Sequence, residues 1–212
     1  MRRSTPWLAG AFAFSVSVLA GCAAAGAGVS TAAGPRGPGG TVAEAHPADV
    51  HFITGMIHHH AQALVMSSLA ATNAGSGAIR TLAERIHVGQ TDEIRLMQQW
   101  LGDVGEPISE PSPAGMRMEM GGVEHEMLMP GMLTPEQLAQ LERTRGDEFD
   151  RLFLEYMIQH HEGALDMVDT LFATDGAGVD DFIYKTASDT FADQGSEIDR
   201  MQRMLDARYS GP

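Results

Sequence analysis

With 28 Asp and Glu against 14 Lys and Arg, this 212-residue chain carries a net charge of −14 and lacks the basic footprint of a nucleic-acid-binding protein. A single cysteine excludes an internal disulfide and a cysteine-cluster metal site, so any bound metal must be held by His, Met, Asp or Glu. The 14 methionines and 9 histidines are therefore the side chains to follow.

The first 21 residues read as a signal peptide. Arg2 and Arg3 form a short positive start, and Trp7 to Leu19 is an apolar run broken only by Gly10, Ser15 and Ser17. That run is shorter than the ~20 residues of a membrane-spanning helix. It ends in Leu19-Ala20-Gly21-Cys22, which resembles the bacterial lipobox. The resemblance implies acylation of Cys22 and a lipid anchor, and so an exported protein on the periplasmic or extracellular face of the cell envelope. Removal of Arg2 and Arg3 would leave 12 bases against 28 acids, net −16. Residues 22–46, rich in Ala, Gly and Pro, read as a flexible tether.

Residues 47–210 carry an all-α pattern. Pro47 and Asp49 supply helix-start chemistry, and a first helix is expected from about Val50 to Thr72. Asn73 to Gly77 breaks it, and a second helix runs from about Ala78 to Leu101, closing a first hairpin over 47–102. Residues 103–133 form a long crossover crowded with Met, Gly and Pro, without clear periodicity or any strand signal. Thr134-Pro135-Glu136-Gln137 then combines an N-cap, a Pro at the first helical position and a capping-box Gln. A third helix is expected from there to about Ala173, bent near Gly146. After the turn Asp175 to Gly178, a last helix spans roughly Asp180 to Arg208 and completes a second hairpin over 134–210.

The two hairpins repeat one another. Asp49, Phe52, Met56, Ile57, His59, His60, Ala63, Leu64 and Met66 recur 101 positions later as Asp150, Phe153, Met157, Ile158, His160, His161, Ala164, Leu165 and Met167. Gln90, Glu93, Ile94, Met97 and Leu101 recur at an offset of 104 as Gln194, Glu197, Ile198, Met201 and Leu205. Two hairpins of one design joined by a long crossover predict a four-helix bundle with pseudo-twofold symmetry.

At ~100° per residue, Phe52, His59, His60 and Ala63 all lie within about 60° of Met56, on one inward stripe. His58 falls roughly opposite and is expected on the surface; its counterpart is Gln159. Gln90, Ile94 and Met97 point inward from the second helix with Glu93 at the edge of the stripe, and Gln194, Ile198, Met201 and Glu197 repeat this. Four inward histidines are costly unless used, because an unsatisfied buried nitrogen costs ~1–3 kcal/mol. Thioether sulfur selects Cu(I) or Ag(I), whereas imidazole also accepts Cu(II) and zinc. Met56 with His59 and His60, and Met157 with His160 and His161, therefore suggest a copper site. Glu93 and Glu197 are placed to accept N–H bonds from the rings. Met116, Met118, Met120, Met127, Met129 and Met132 with His125 form a possible auxiliary Cu(I) group in the crossover, or an apolar lid.

At Met56-Ile57-His58-His59-His60 with Ala63 and Met66, and at Met157-Ile158-Gln159-His160-His161 with Ala164 and Met167, the chain resembles the ferritin-like "domain of unknown function 305" family. Gln-x-x-Glu-Ile-x-x-Met in the partner helices is similar too. The resemblance covers about residues 47–208 and implies a ferritin-like four-helix fold, frequent export, and copper binding in some members. It extends the ligand set to Met56, His59, His60, Met66, Met97, Met157, His160, His161, Met167 and Met201, with Gln90, Glu93, Gln194 and Glu197 in support. A role in copper buffering, sequestration or resistance follows, with a copper-handling protein as a partner and zinc or iron as lesser cofactors. It does not imply an enzyme. A ferritin-like di-metal oxidase is the alternative, but Glu84-x-x-His87 has the required spacing only once. A haem bundle would leave half the histidines idle. A non-catalytic structural or partner-binding bundle would need another use for all four.

Overall fold

A computed structural model describes residues 44–209. The signal segment 1–21, Cys22 and all but the last three residues of the tether lie outside the described residues.

The described residues form five helices and one small sheet. Helix α1 (Pro47–Asn73) and α2 (Gly77–Val104) form a first hairpin. A β-hairpin of β1 (Met116–Met120) and β2 (Val123–Met127) lies in the crossover. Helix α3 (Pro135–Arg143) is short, and α4 (Gly146–Phe172) and α5 (Asp181–Tyr209) form the second long hairpin. Helices α1 and α4 pack against each other and join the two hairpins. No described helix is long and apolar enough to cross a membrane.

Three expectations are corrected. The helix after Thr134 is not continuous with a bend. Its start is as expected, since Thr134 Oγ1 accepts from the Gln137 N–H and Gln137 Oε1 accepts from the Thr134 N–H. It then stops at Arg143, because Thr144 and Arg145 are extended and Gly146 takes φ +64°, a conformation only glycine adopts freely. The turn of the first hairpin packs into this break: Asn73 Nδ2 donates to the Glu142 carbonyl, and Gly75 abuts Gly146 so closely that a Cβ would lie 3.0 Å from its backbone.

The crossover is also not free of strands. Gly121 and Gly122 have φ +64° and +81°, the pair of left-handed residues that a tight two-residue hairpin turn requires. Finally, His58 is not on the surface. It is 7% exposed, because the crossover covers the side of α1 that the helical angles assign to solvent. Its Nδ1 accepts from the Ser112 N–H at 3.1 Å and its Nε2 lies 3.0 Å from Ser109 Oγ. Burial lowers its pKa, which suits a neutral ring holding a loop.

Two repeated residues lock the hairpins together. Asp49 Oδ1 accepts from the Gly178 N–H at 2.7 Å, in the turn of the second hairpin. Asp150 Oδ1 accepts from the Gly75 N–H at 2.9 Å, in the turn of the first. Both aspartates are almost fully buried, so each serves as the cap of the opposite turn and not of its own helix. The α1 N-cap is His46, whose Nδ1 accepts from the Ala48 N–H.

Candidate metal centre

The inward stripe of α1 meets that of α4 at the histidines. His59, His60, His160 and His161 are all fully buried. The rings of His59 and His160 are in contact across the interface, with centroids 3.8 Å apart, and His60 and His161 flank them at 6.4 and 6.3 Å from their neighbours.

Each outer ring is held from the partner helix of its own hairpin. His60 Nε2 lies 2.6 Å from Glu93 Oε2, and His161 Nε2 lies 2.7 Å from Glu197 Oε2. A carboxylate can only accept here, so both Nε2 atoms carry the proton. His59 Nε2 likewise donates to the Pro130 carbonyl at 3.1 Å. Nε2 of all three rings is thereby engaged, and the Nδ1 of each is left over.

Those nitrogens have no protein partner. Nδ1 of His59, His60, His160 and His161 and Nε2 of His160 are buried without a hydrogen bond. Orphan nitrogens at ~1–3 kcal/mol each are a heavy load on a domain stable by roughly 5–15 kcal/mol. Protonation does not relieve those of His59 and His160 at neutral pH. Burial, reinforced by the neighbouring imidazoles, lowers the His59 pKa to about 3 and holds His160 well below the ordinary histidine value. Neutral imidazoles with free lone pairs are the state a metal ion requires.

Buried thioethers fall into two apolar groups of the core. Met56 and Met97 are fully buried in one apolar cluster, with Met167 packed against it. Met157, Met201 and Met66 are fully buried in the other. The repeat therefore maps onto the space: each group takes two sulfurs from one hairpin and one from the other. Among the described residues no three His, Cys, Asp or Glu side chains converge as a ready-made cage. Imidazole nitrogen and thioether sulfur are the donors this core could offer, and both are ligands that a soft ion accepts. Glu84 is exposed and His87 Nδ1 lies 3.5 Å from Ser68 Oγ at the surface, so the oxidase-like spacing contributes nothing to the core.

Gln90 and Gln194 are 4% and 3% exposed and retain unpartnered polar atoms. They line a polar groove of about 190 Å³ between α2 and α5, with Glu93, Asp193 and Glu197. Burial, with Glu93, Asp189 and Glu197 nearby, raises the Asp193 pKa.

The crossover residues separate. Met129 and Met132 are buried, whereas Met118, His125 and Met127 are exposed. Met129 lies against Gly55, where an added Cβ would come 3.0 Å from its sulfur and 3.2 Å from Met167 Cε. The Met132 sulfur accepts from the Met129 N–H at 3.2 Å. Sequence reasoning missed Gln62, which is fully buried and clamps the same segment: its Oε1 accepts from the Leu133 N–H at 2.6 Å, and its Nε2 donates to the Leu133 and Pro113 carbonyls. A polar residue on the face otherwise assigned to solvent gave no signal of this.

Comparison with solved structures finds the same fold. A DUF305 fragment from Deinococcus radiodurans aligns with 28% identity and a TM-score of 0.62, covering 77% of this chain and 98% of that one. A DUF305 protein from Streptomyces coelicolor, a candidate secreted protein, aligns with 27% identity and a TM-score of 0.62 over 76% of this chain and 93% of that one. CopM in its Cu(I)-bound form aligns with 26% identity and a TM-score of 0.57 over 76% and 97%, and CopM is also solved with Cu(II) and with Ag. No curated protein matches. The profile of the family described as Domain of unknown function (DUF305) matches residues 49–205, and the chain belongs to that family.

Proposed function

We propose that this protein binds Cu(I) in the cell envelope, to buffer or sequester it or pass it to a copper-handling protein. The observation that carries this reading is the set of orphaned Nδ1 atoms on four buried histidines, in a core that also holds buried thioethers. His59, His60, His160 and His161 would supply nitrogen. Met56, Met97 and Met167 would supply sulfur on one side, and Met157, Met201 and Met66 on the other. Copper bound to CopM, a relative of this fold, supports the same assignment. The four long helices are read as a ferritin-like bundle whose interior holds the metal, and Cys22 as the lipid anchor that keeps it at the membrane.

Anaerobic Cu(I) titration against a chromophoric chelator, followed by elemental analysis, tests this. The protein should take up Cu(I) with a Kd below ~1 µM, equivalent to at least ~8 kcal/mol. Replacing His59, His60, His160 and His161 together by Gln should abolish that uptake in the core. Absence of copper uptake by the unmodified protein would refute the reading.

A further inference from the structure

We propose a second soft-metal site on the outer β-hairpin, formed by Met118, His125 and Met127 with Met116 beside them. The proposal takes the metal, Cu(I) or Ag(I), from the reading above but none of its residues.

The register carries the argument. Met118 pairs with His125, and Met116 pairs with Met127, across the antiparallel strands. Directly opposed residues share a face with Cβ atoms roughly 4.5–5.5 Å apart, so these four side chains form one continuous patch. The intervening pairs, Arg117 with Glu126 and Glu119 with Glu124, take the other face. The hairpin therefore sorts thioether and imidazole to one side and charge to the other.

Burial does not account for that sorting. Met118 and Met127 are 37% and 39% exposed, and every residue of β2 is exposed. Only Met116 is half-buried, at the end nearest α1, where it lines a surface pocket with His58 and Thr54. Thioethers so exposed gain little from apolar transfer, and methionine is not a favoured residue for an exposed strand. An isolated two-stranded hairpin is also marginal in water, and an ion bridging its strands would stabilise it. Two or three sulfurs and one imidazole on adjacent strands form a donor set for a soft monovalent ion. Its exposure makes this an acquisition site, in contrast to the buried core.

The test uses the whole protein under anaerobic conditions, with Cu(I) for stoichiometry and Ag(I) as a redox-inert probe of the methionine ε-methyl NMR signals. In a Met118→Leu, His125→Gln, Met127→Leu variant, all changes are at exposed positions, and one equivalent of Cu(I) should be lost. The four-His core variant should retain that equivalent, and Ag(I) should shift the Met118 and Met127 signals in it. If the hairpin variant binds as much Cu(I) as the unmodified protein and those signals do not move, the site does not exist. If the hairpin signals shift while the four-His variant loses no copper, the hairpin site stands and the core assignment falls.

Discussion

Gly163 and Gly89 make a paired test of how the crossover is seated over the histidines. Both lie inside helices, where replacing glycine by alanine ordinarily gains ~1 kcal/mol. At Gly89 a Cβ would have nothing within 4 Å, so Gly89→Ala should realise that gain. At Gly163 it would lie 2.1 Å from the Pro130 carbonyl oxygen and 2.5 Å from Gly131 Cα. These are backbone atoms, which cannot rotate away, so the Met129–Leu133 segment must lift. Overpacking of this kind costs ~1–3 kcal/mol, and loss of the His59 Nε2 bond to Pro130 adds about 1. Set against the helix gain, Gly163→Ala should lose roughly 2 kcal/mol net, a fall in Tm of about 4–8 °C for a domain of this size. Differential scanning calorimetry of the metal-free proteins would read both changes. If Gly163→Ala proves as stable as Gly89→Ala, the segment does not press on α4, and the proposed control of the His59 tautomer fails with it.

Three further outcomes follow from the same geometry. Glu93→Gln and Glu197→Gln, which remove the charge that orients His60 and His161, should each weaken Cu(I) binding ~10–100-fold by chelator competition; unchanged affinity would show that these carboxylates do not support the ligands. Asp49→Ala or Asp150→Ala leaves the Gly178 or Gly75 N–H without its acceptor and should cost about 1–3 kcal/mol in urea unfolding, with the two losses roughly additive because they act on different turns. The metal-free protein should also lose stability as pH falls. His59 titrates near 6.5 when unfolded and at about 3 when folded, so below pH 6.5 the unfolded state binds the extra proton. The loss approaches ~1.4 kcal/mol per pH unit for that ring and increases with the contribution of His160, until pH reaches the folded value. A melting temperature unchanged between pH 7 and 5 would show that the rings are not buried as neutral imidazoles.

The helical parts of this architecture were legible because their signals are local or periodic. The 101-residue repeat located α1 and α4, helical angles turned His59, His60, His160 and His161 inward, and the capping box marked the start of α3. The crossover was not legible in the same way. Its Met-x-Met-x-Met alternation and Gly121-Gly122 turn have strand periodicity, but Met is a poor strand marker, and the methionines read equally as ligands or as an apolar lid. His58 was misplaced for a related reason. An angular plot separates inside from outside on the assumption that only helices bury helices, and here a loop does the burying.

That loop explains where the internal symmetry ends. Positions that repeat with identity, such as His59/His160, His60/His161 and Glu93/Glu197, face the centre and see a related environment in both halves. The covered side of the same helices does not repeat. His58 and Gln62 bind the crossover by hydrogen bonds, whereas their counterparts Gln159 and Gly163 meet it through one amide donating to the Gly131 carbonyl and through close backbone contact. A single crossover cannot be twofold symmetric, so α1 and α4 must present it with different surfaces. The same asymmetry reaches the centre once, where Pro130 accepts from His59 but nothing accepts from His160. His160, with both ring nitrogens unpartnered, is thus the imidazole least committed by the protein, and in the proposed site it would be the one freest to adjust to an ion.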